Sequence, residues 1–388
     1  MKKIVIVTRR LIMGGIEKAL ISMLDAIPKD QFEVTVLVMG HGGELEDEIP
    51  DHVKVECLYG YEKTTVEKIW NSIKKGKFIR AFKIGWYTLQ AKMDKSVFKQ
   101  EWYHSKMIPV IDSEYDIAIA YHVPASFPVV FVMKNIKAKT KIAWIHADVS
   151  QFKEELKPYK QFYEKYDKIF CVSKYAMENF NDLYPNLKEK TSVFNNILDR
   201  KRIVLMAKNG EGFNDQFNGI RMVTVGRLTF EKGHDLIPNV LMKLRSEGHN
   251  IRWYCIGDGE RRSVIESLIK KYGLEEHLIL LGTKRNPYRF IYECDIYVQP
   301  SRHEGYCISL AEARAFYKPI VTTDTVGARE QIESGQNGLI INVEENEIYT
   351  AINTLIKNQN LCVKFEKNLK KSNIDAANEI KKLLDIVG

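Results

Sequence analysis

The sequence has no closely spaced cysteines. Its six, Cys57, Cys171, Cys255, Cys294, Cys307 and Cys362, stand far apart with no C-x-x-C pair. That spacing speaks against a zinc site and a secreted disulfide framework, and points to a reducing cytosol. Long apolar runs are missing too. Ile4 to Val7 are four aliphatic residues between charges, too few for the apolar part of a signal peptide. The longest uncharged run, Ile117 to Met133, contains His122, Pro124 and Pro128 and fits strand, loop and helix start better than a membrane span. No period of roughly 20 to 50 residues repeats, which excludes a solenoid. A G-x-G-x-x-G run is also absent, so the standard dinucleotide fingerprint is excluded.

What is present describes a folded α/β chain. Of 388 residues, 45% are hydrophobic and 28% charged, enough to bury substantial cores and stay soluble. Short aliphatic runs recur, each followed by a longer amphipathic stretch: Lys3 to Val7, Val34 to Val38, Asp116 to Ala120, Lys141 to Ile145 and Lys168 to Val172. The rhythm returns at Arg221 to Val225, Ile251 to Ile256, Leu278 to Leu281, Asp295 to Val298 and Pro319 to Thr322. Strand and helix alternating in this way predict parallel sheets covered on both faces, and two series predict two doubly wound domains. The polar stretch Asp199 to Asn218 separates them. The expected division is a first domain over 1–200, a linker over 201–218 and a second domain over 219–371, with a helix at about 372–388 packing back on the first.

Open parallel sheets bind ligands at the carboxyl ends of their strands, so the residues after each strand carry the candidate chemistry. After the first strand, Gly14 and Gly15 open a helix whose free N–H groups suit an anion; a simple tight turn would use the same pair. After the first strand of the second series stands Val225-Gly226-Arg227-Leu228-Thr229-Phe230-Glu231-Lys232-Gly233. Gly226 permits close approach, Arg227 offers a planar fork for phosphate oxygens and Lys232 adds a point charge, a set that suits a diphosphate. After Asp295 to Gln299 comes Pro300-Ser-Arg-His-Glu304-Gly305-Tyr306-Cys307-Ile308-Ser-Leu-Ala-Glu312. Glu304 on the loop and Glu312 up to two turns into the following helix could accept pairs of hydroxyl hydrogens from a sugar or ribose; an exposed helix glutamate is the plain alternative for Glu312.

The second glutamate follows the first after seven residues, and this resembles the E-x7-E signature of glycosyltransferase family 4. Gly257-Asp-Gly-Glu260, Leu280-Leu-Gly282, and Gly327-Ala-Arg-Glu-Gln-Ile332 through Gln336-Asn-Gly338 stand in the expected order, as do Gly14-Gly15-x-Glu17, Val172-Ser-Lys174 and Phe194-Asn-Asn-Ile197. The resemblance covers most of the chain and is strongest from Met222 to Ile341. It implies the GT-B fold: two Rossmann-like doubly wound domains facing a central cleft. Residue by residue, it implies that Arg227 and Lys232 hold the donor diphosphate as it leaves and that Glu304 meets the donor sugar's hydroxyls. Gly305, Tyr306, Cys307 and Ile308 would line the donor beside them, and Glu312 would hold the ribose. Gly226 and the loop Thr283-Lys284-Arg285-Asn286 would complete the donor site, the loop lying at the base. His146, in Trp144-Ile-His-Ala-Asp148, resembles the histidine that faces the donor sugar. Asp148 would bind acceptor hydroxyls or cap a turn. One departure lies at Thr323-Asp-Thr-Val-Gly327, where many relatives place a proline before the glycine.

The resemblance further implies a retaining transferase that moves a hexose or N-acetylhexosamine from a nucleotide sugar, UDP-linked by frequency in the family. The acceptor would be a glycan or lipid-linked glycan in cell-surface polysaccharide synthesis. No Asp-x-Asp is present, so neither a metal nor another cofactor is expected. A sugar-nucleotide epimerase on the same architecture and a non-catalytic partner subunit are the rival readings. Net charge is +8, and residues 67–106 carry ten basic and three acidic residues interleaved with Trp70, Phe78, Phe82, Trp86, Tyr87, Phe98 and Trp102. Such a segment suits an anionic membrane surface, giving a cytoplasmic protein peripheral on the inner face of the plasma membrane. It suits equally a helix pair covering the first sheet. Nucleic acid is not expected, since no recognition motif accompanies the charge.

Overall fold

Thirteen parallel-paired strands form two sheets in the computed structural model, which describes residues 1–40, 42–58, 64–147, 149–372 and 378–386. The chain divides into a unit of Met1–Ile197 with Asn378–Gly388 and a unit of Leu198–Ala377.

The first unit holds β1 (Lys2–Thr8), β2 (Phe32–Val38), β3 (Lys54–Cys57), β4 (Ile111–His122), β5 (Ile136–Ile145), β6 (Lys168–Cys171) and β7 (Thr191–Val193). Their order is β3-β2-β1-β4-β5-β6-β7. Ile4, Val5, Ile6 and Val7 are fully buried in succession, as a central strand covered on both faces requires. The run from Ile117 divides as expected into strand, loop and the helix Phe127–Asn135, with Pro128 in its first turn where the missing N–H is harmless. A short helix, Glu379–Leu384, returns to this unit: Leu383 is fully buried, the Glu379 carboxylate accepts from the Asn195 N–H at 3.0 Å, and the Lys382 ammonium donates to the Val193 carbonyl at 2.9 Å.

The second unit holds β8 (Ile220–Val225), β9 (Ile251–Ile256), β10 (Leu278–Gly282), β11 (Ile296–Gln299), β12 (Ile320–Thr323) and β13 (Leu339–Ile341), ordered β10-β9-β8-β11-β12-β13. The stretch expected as a linker over 201–218 is corrected here. Asp199 caps a helix, Arg200–Asn209, by accepting from the Arg202 N–H, and this helix buries Ile203 and Ala207 against the second unit. The rest is pinned by Asp215, whose carboxylate takes Arg221 at 2.5 Å and Arg252 at 3.0 Å.

Candidate active site

In each sheet the strand order reverses once: between β1 and β4 in the first unit, between β8 and β11 in the second. Loops leaving the two strands at such a point diverge and open a crevice at their carboxyl ends. In the second unit those are the loops after β8 and after β11, which carry Arg227 and Lys232 on one side and Glu304 on the other.

The two loops are clamped together. Arg302 makes a fork-to-fork pair with Asp235, both contacts 2.8 Å, and lies over the Phe230 ring at 4.1 Å. The Arg302 N–H donates to the Glu231 carbonyl at 2.7 Å. Gly233 has a left-handed φ of 68°, and a Cβ there would strike the Pro300 carbonyl oxygen. Only glycine permits this approach.

The result is a Lys232 Nζ–Glu304 carboxylate pair at 2.6 Å. Lys232 is 21% exposed and Glu304 7%. Burial opposes the charged ammonium, but the Glu304 carboxylate more than offsets it, and the Lys232 pKa stays above its ordinary value. Arg227 is exposed on the same loop, and its charge acts on both Lys232 and Glu231. Behind Glu304 runs a buried polar chain: Tyr297 OH donates to Gln299 Oε1 at 2.8 Å, Gln299 Nε2 to Ser301 Oγ at 2.9 Å, and Ser301 Oγ to Glu304 Oε1 at 2.8 Å. Glu304 is thus fixed from two sides.

Glu312 sits one turn into the helix Ile308–Ala315 and is 2% exposed, so it is not a surface glutamate. Tyr288 OH donates to its Oε1 at 3.0 Å. Cys307 caps that helix with a φ of 61°, and burial pushes its thiol up to about 12, with Glu304 adding to the effect, so it stays protonated. Gly305 and Tyr306 are half-buried, and Ile308 opens the helix beside them. Gly226 lies against Lys232 and His234. His234 is buried, its pKa lowered to about 3 by burial and by Lys232. On the loop after β10, Thr283 and Arg285 are exposed while Lys284 faces Glu211 at 3.7 Å.

At the reversal of the first sheet, three buried polar atoms lack a hydrogen-bond partner among the described residues: Thr8 Oγ1, His122 Nδ1 and His146 Nε2. They stand at the carboxyl ends of β1, β4 and β5. The His146 ring lies 4.3 Å from that of Tyr121, and burial, helped by His122, drives its pKa well below the ordinary value. His122 is lowered to about 4 by burial, with Arg9 adding to it. Both rings are neutral hydrogen-bonding groups near pH 7. Gly14 and Gly15 open the helix Gly15–Ala26, and the Glu17 carboxylate lies beside Gly14 at its start. Asp148 lies outside the described residues. Sequence reasoning missed Thr8 and His122, which are lone residues at strand ends, and Tyr288, Gln299 and Ser301, which matter through their partners.

Known proteins resemble this chain over part of its sequence and in its fold. The family model described as "Glycosyl transferases group 1" matches residues 213–372, the stretch that carries Arg227, Lys232, Glu304 and Glu312. Among solved structures, Anabaena Alr3699/HepE in complex with UDP-glucose aligns with a TM-score of 0.74 at 18% identity over 99% of both chains. The fold is that of the GT-B glycosyltransferases, with two Rossmann-like parallel sheets. Among curated proteins the chain is similar to a Campylobacter jejuni enzyme named N-acetylgalactosamine-N,N'-diacetylbacillosaminyl-diphospho-undecaprenol 4-alpha-N-acetylgalactosaminyltransferase, at 28% identity over 221 residues, 56% of this chain and 58% of that protein. It is also similar to the amylovoran biosynthesis glycosyltransferase AmsD of Erwinia amylovora, 28% identical over 171 residues, 43% of this chain and 48% of that one. The chain thus spans about half the length of the curated relatives it matches. Among the described residues, no helix is long and apolar enough to cross a membrane.

Proposed function

We propose that this protein is a retaining glycosyltransferase that moves a hexose or N-acetylhexosamine from a nucleotide sugar, UDP-linked by preference, to a glycan or lipid-linked glycan in surface polysaccharide synthesis. The observation that carries the reading is the juxtaposition of Lys232 and Glu304 at 2.6 Å, beside the exposed Arg227 and inside the matched stretch 213–372. The Lys232 ammonium and the Glu304 carboxylate pair with each other. A bound donor divides them: the diphosphate takes Lys232 and Arg227, and the sugar hydroxyls take Glu304.

Breaking the bond from the anomeric carbon to the phosphate oxygen puts positive charge on the sugar and negative charge on the leaving oxygen. The acceptor oxygen bonds to the same face, and its proton passes to the departing phosphate. Two cations fixed at that oxygen bind the transition state more strongly than the ground state. Glu312, held by Tyr288, is proposed to take the ribose hydroxyls, and His146 to offer a neutral imidazole to sugar hydroxyls. A cytoplasmic enzyme that touches an anionic inner membrane face through residues 67–106 would meet lipid-linked acceptors there.

A thermal-shift panel of UDP-, GDP- and ADP-sugars tests the reading. A ligand at 100 times its dissociation constant stabilises by about 2.7 kcal/mol. A shift with one base supports it, and donor consumption without acceptor would point instead to an epimerase. No shift with any donor would leave the partner-subunit reading in its place.

A further inference from the structure

We infer that the outer face of the helix Phe78–Met93 is a membrane-docking surface that lies in an anionic bilayer interface. This deepens the transferase reading by naming how the protein meets a lipid-borne acceptor, though the surface stands on its own observations.

Phe78, Ile79, Phe82, Trp86, Leu89 and Met93 are each between 50 and 76% exposed. At about 100° per residue they fall at 0, 100, 40, 80, 20 and 60°, a single stripe about 100° wide. The residues this helix buries, Ala81, Ile84 and Ala91, lie roughly 150° away on the opposite side. Packing therefore accounts for one apolar face and leaves the second exposed, without a partner among the described residues. Lys83 and Lys92 flank the exposed stripe by about 40° on either side, and the helix contains no acidic residue. An apolar stripe edged by lysines is the pattern of a helix lying in an interface, its lysine stems along the acyl boundary and its ammonium groups among the headgroups.

The helix Val97–Met107 holds this helix without using the stripe: Tyr87 stacks on Tyr103 at a ring distance of 6.1 Å, and Thr88 Oγ1 donates to Met107 Sδ at 3.3 Å. Phe98 and Trp102, on the helix Val97–Met107, pack on Phe162 at ring distances of 5.9 and 5.8 Å, and Arg9 pairs with the buried Glu101 at 3.0 Å. The preceding helix, Thr65–Lys74, adds Val66, Trp70 and Ile73, exposed at i, i+4 and i+7.

Beside the stripe opens a cavity of about 770 Å³ whose lining includes Lys77, Arg80, Lys83, Lys106 and Lys134 and no acidic residue. Lys134 and Lys106 sit over the Trp102 ring at 4.6 and 5.3 Å. Five cations over an aromatic wall complement a lipid phosphate with its first methylenes. The same charges argue against a second copy of this chain as occupant, since a two-fold contact through the stripe would bring like charges together.

The test is flotation of the full-length protein with phosphatidylcholine vesicles, with and without phosphatidylglycerol. Wild type should float with the anionic vesicles and dissociate at about 1 M salt, where the Debye length is about 3 Å. Phe82→Ser with Trp86→Ser, and separately Lys83→Glu with Lys92→Glu, should weaken binding on the order of tenfold or more. Lys188→Glu, an exposed reversal elsewhere on the same unit, should bind as wild type. Circular dichroism shows whether each variant is folded; should the serine pair fail to fold, the charge reversals decide. Equal binding to neutral and anionic vesicles, no binding, or loss of a self-associated species in the same variants would each overturn the inference. The nucleotide-sugar shift reads the transferase separately. A protein that shifts but does not float loses only the docking surface, and one that floats but does not shift loses only the transferase reading.

Discussion

Tyr288 shows how a residue with no part in the chemistry is expected to govern binding. Its hydroxyl donates to a carboxylate that is 2% exposed, and removing a hydrogen bond to a buried charged group costs about 1.5 to 3 kcal/mol. Tyr288→Phe should therefore raise the donor KM by roughly tenfold or more with kcat little changed. A fall in kcat at constant KM would place Glu312 in the reacting centre instead. The histidines predict a pH dependence. An unfolded histidine titrates near 6.5, whereas folded His122 is lowered to about 4 and His234 to about 3. The folded state refuses protons that the unfolded state accepts, so their contribution to stability is complete above about pH 6.5 and is lost as pH falls toward 4. Each such histidine lowers the folding constant by up to about tenfold per pH unit in that window. Urea unfolding at pH 7 and pH 5 measures the slope, and His234→Phe should flatten part of it; unchanged stability between the two would contradict the buried-neutral assignment.

At the scale of elements, the site depends on the approach of two loops. Gly233→Ala places a methyl on the Pro300 carbonyl and asks alanine to adopt a φ of 68°, so it should cost on the order of 1–2 kcal/mol or more and separate Lys232 from Glu304. A lower melting temperature together with a lost donor shift is the expected outcome, and wild-type values would show that the loops close without this contact. Elements were legible where burial dictates composition. The central strands are unbroken aliphatic runs and could be read directly. The strands Lys54–Cys57, Thr191–Val193 and Leu339–Ile341 are three or four residues long and have no fully buried residue, so composition did not mark them. The helix Arg200–Asn209 reads as a linker in the sequence because it buries only Ile203 and Ala207. Likewise Glu304 and Glu312 stood out by spacing, but the chain from Tyr297 to Ser301 that orders Glu304 exists only once β11 is folded. Thr8, His122 and His146 become neighbours only through the order of the first sheet.

At the scale of the molecule, the chain builds two units with separate cores and sends its C-terminus back to the first. Leu383 is fully buried there, although the whole second unit separates it in sequence from Ile197. Leu383→Ala should destabilise by about 2–5 kcal/mol. Donor binding by the second unit should persist in that variant below its melting temperature, and its loss would show that the helix serves the donor site. Both units place their polar groups where strand order reverses, and in the second that position brings cations and carboxylates to one crevice.

The most direct test is turnover by Arg227→Ala with the donor that gives the largest thermal shift. Arg227 is exposed, so its removal leaves the fold intact. Loss of a group that stabilises a developing anion typically costs on the order of 100-fold or more in rate. The expected result is a kcat reduced by at least about that factor, with the donor still shifting the melting temperature. A variant that turns over at the wild-type rate would contradict the placement of the donor diphosphate at Arg227 and Lys232.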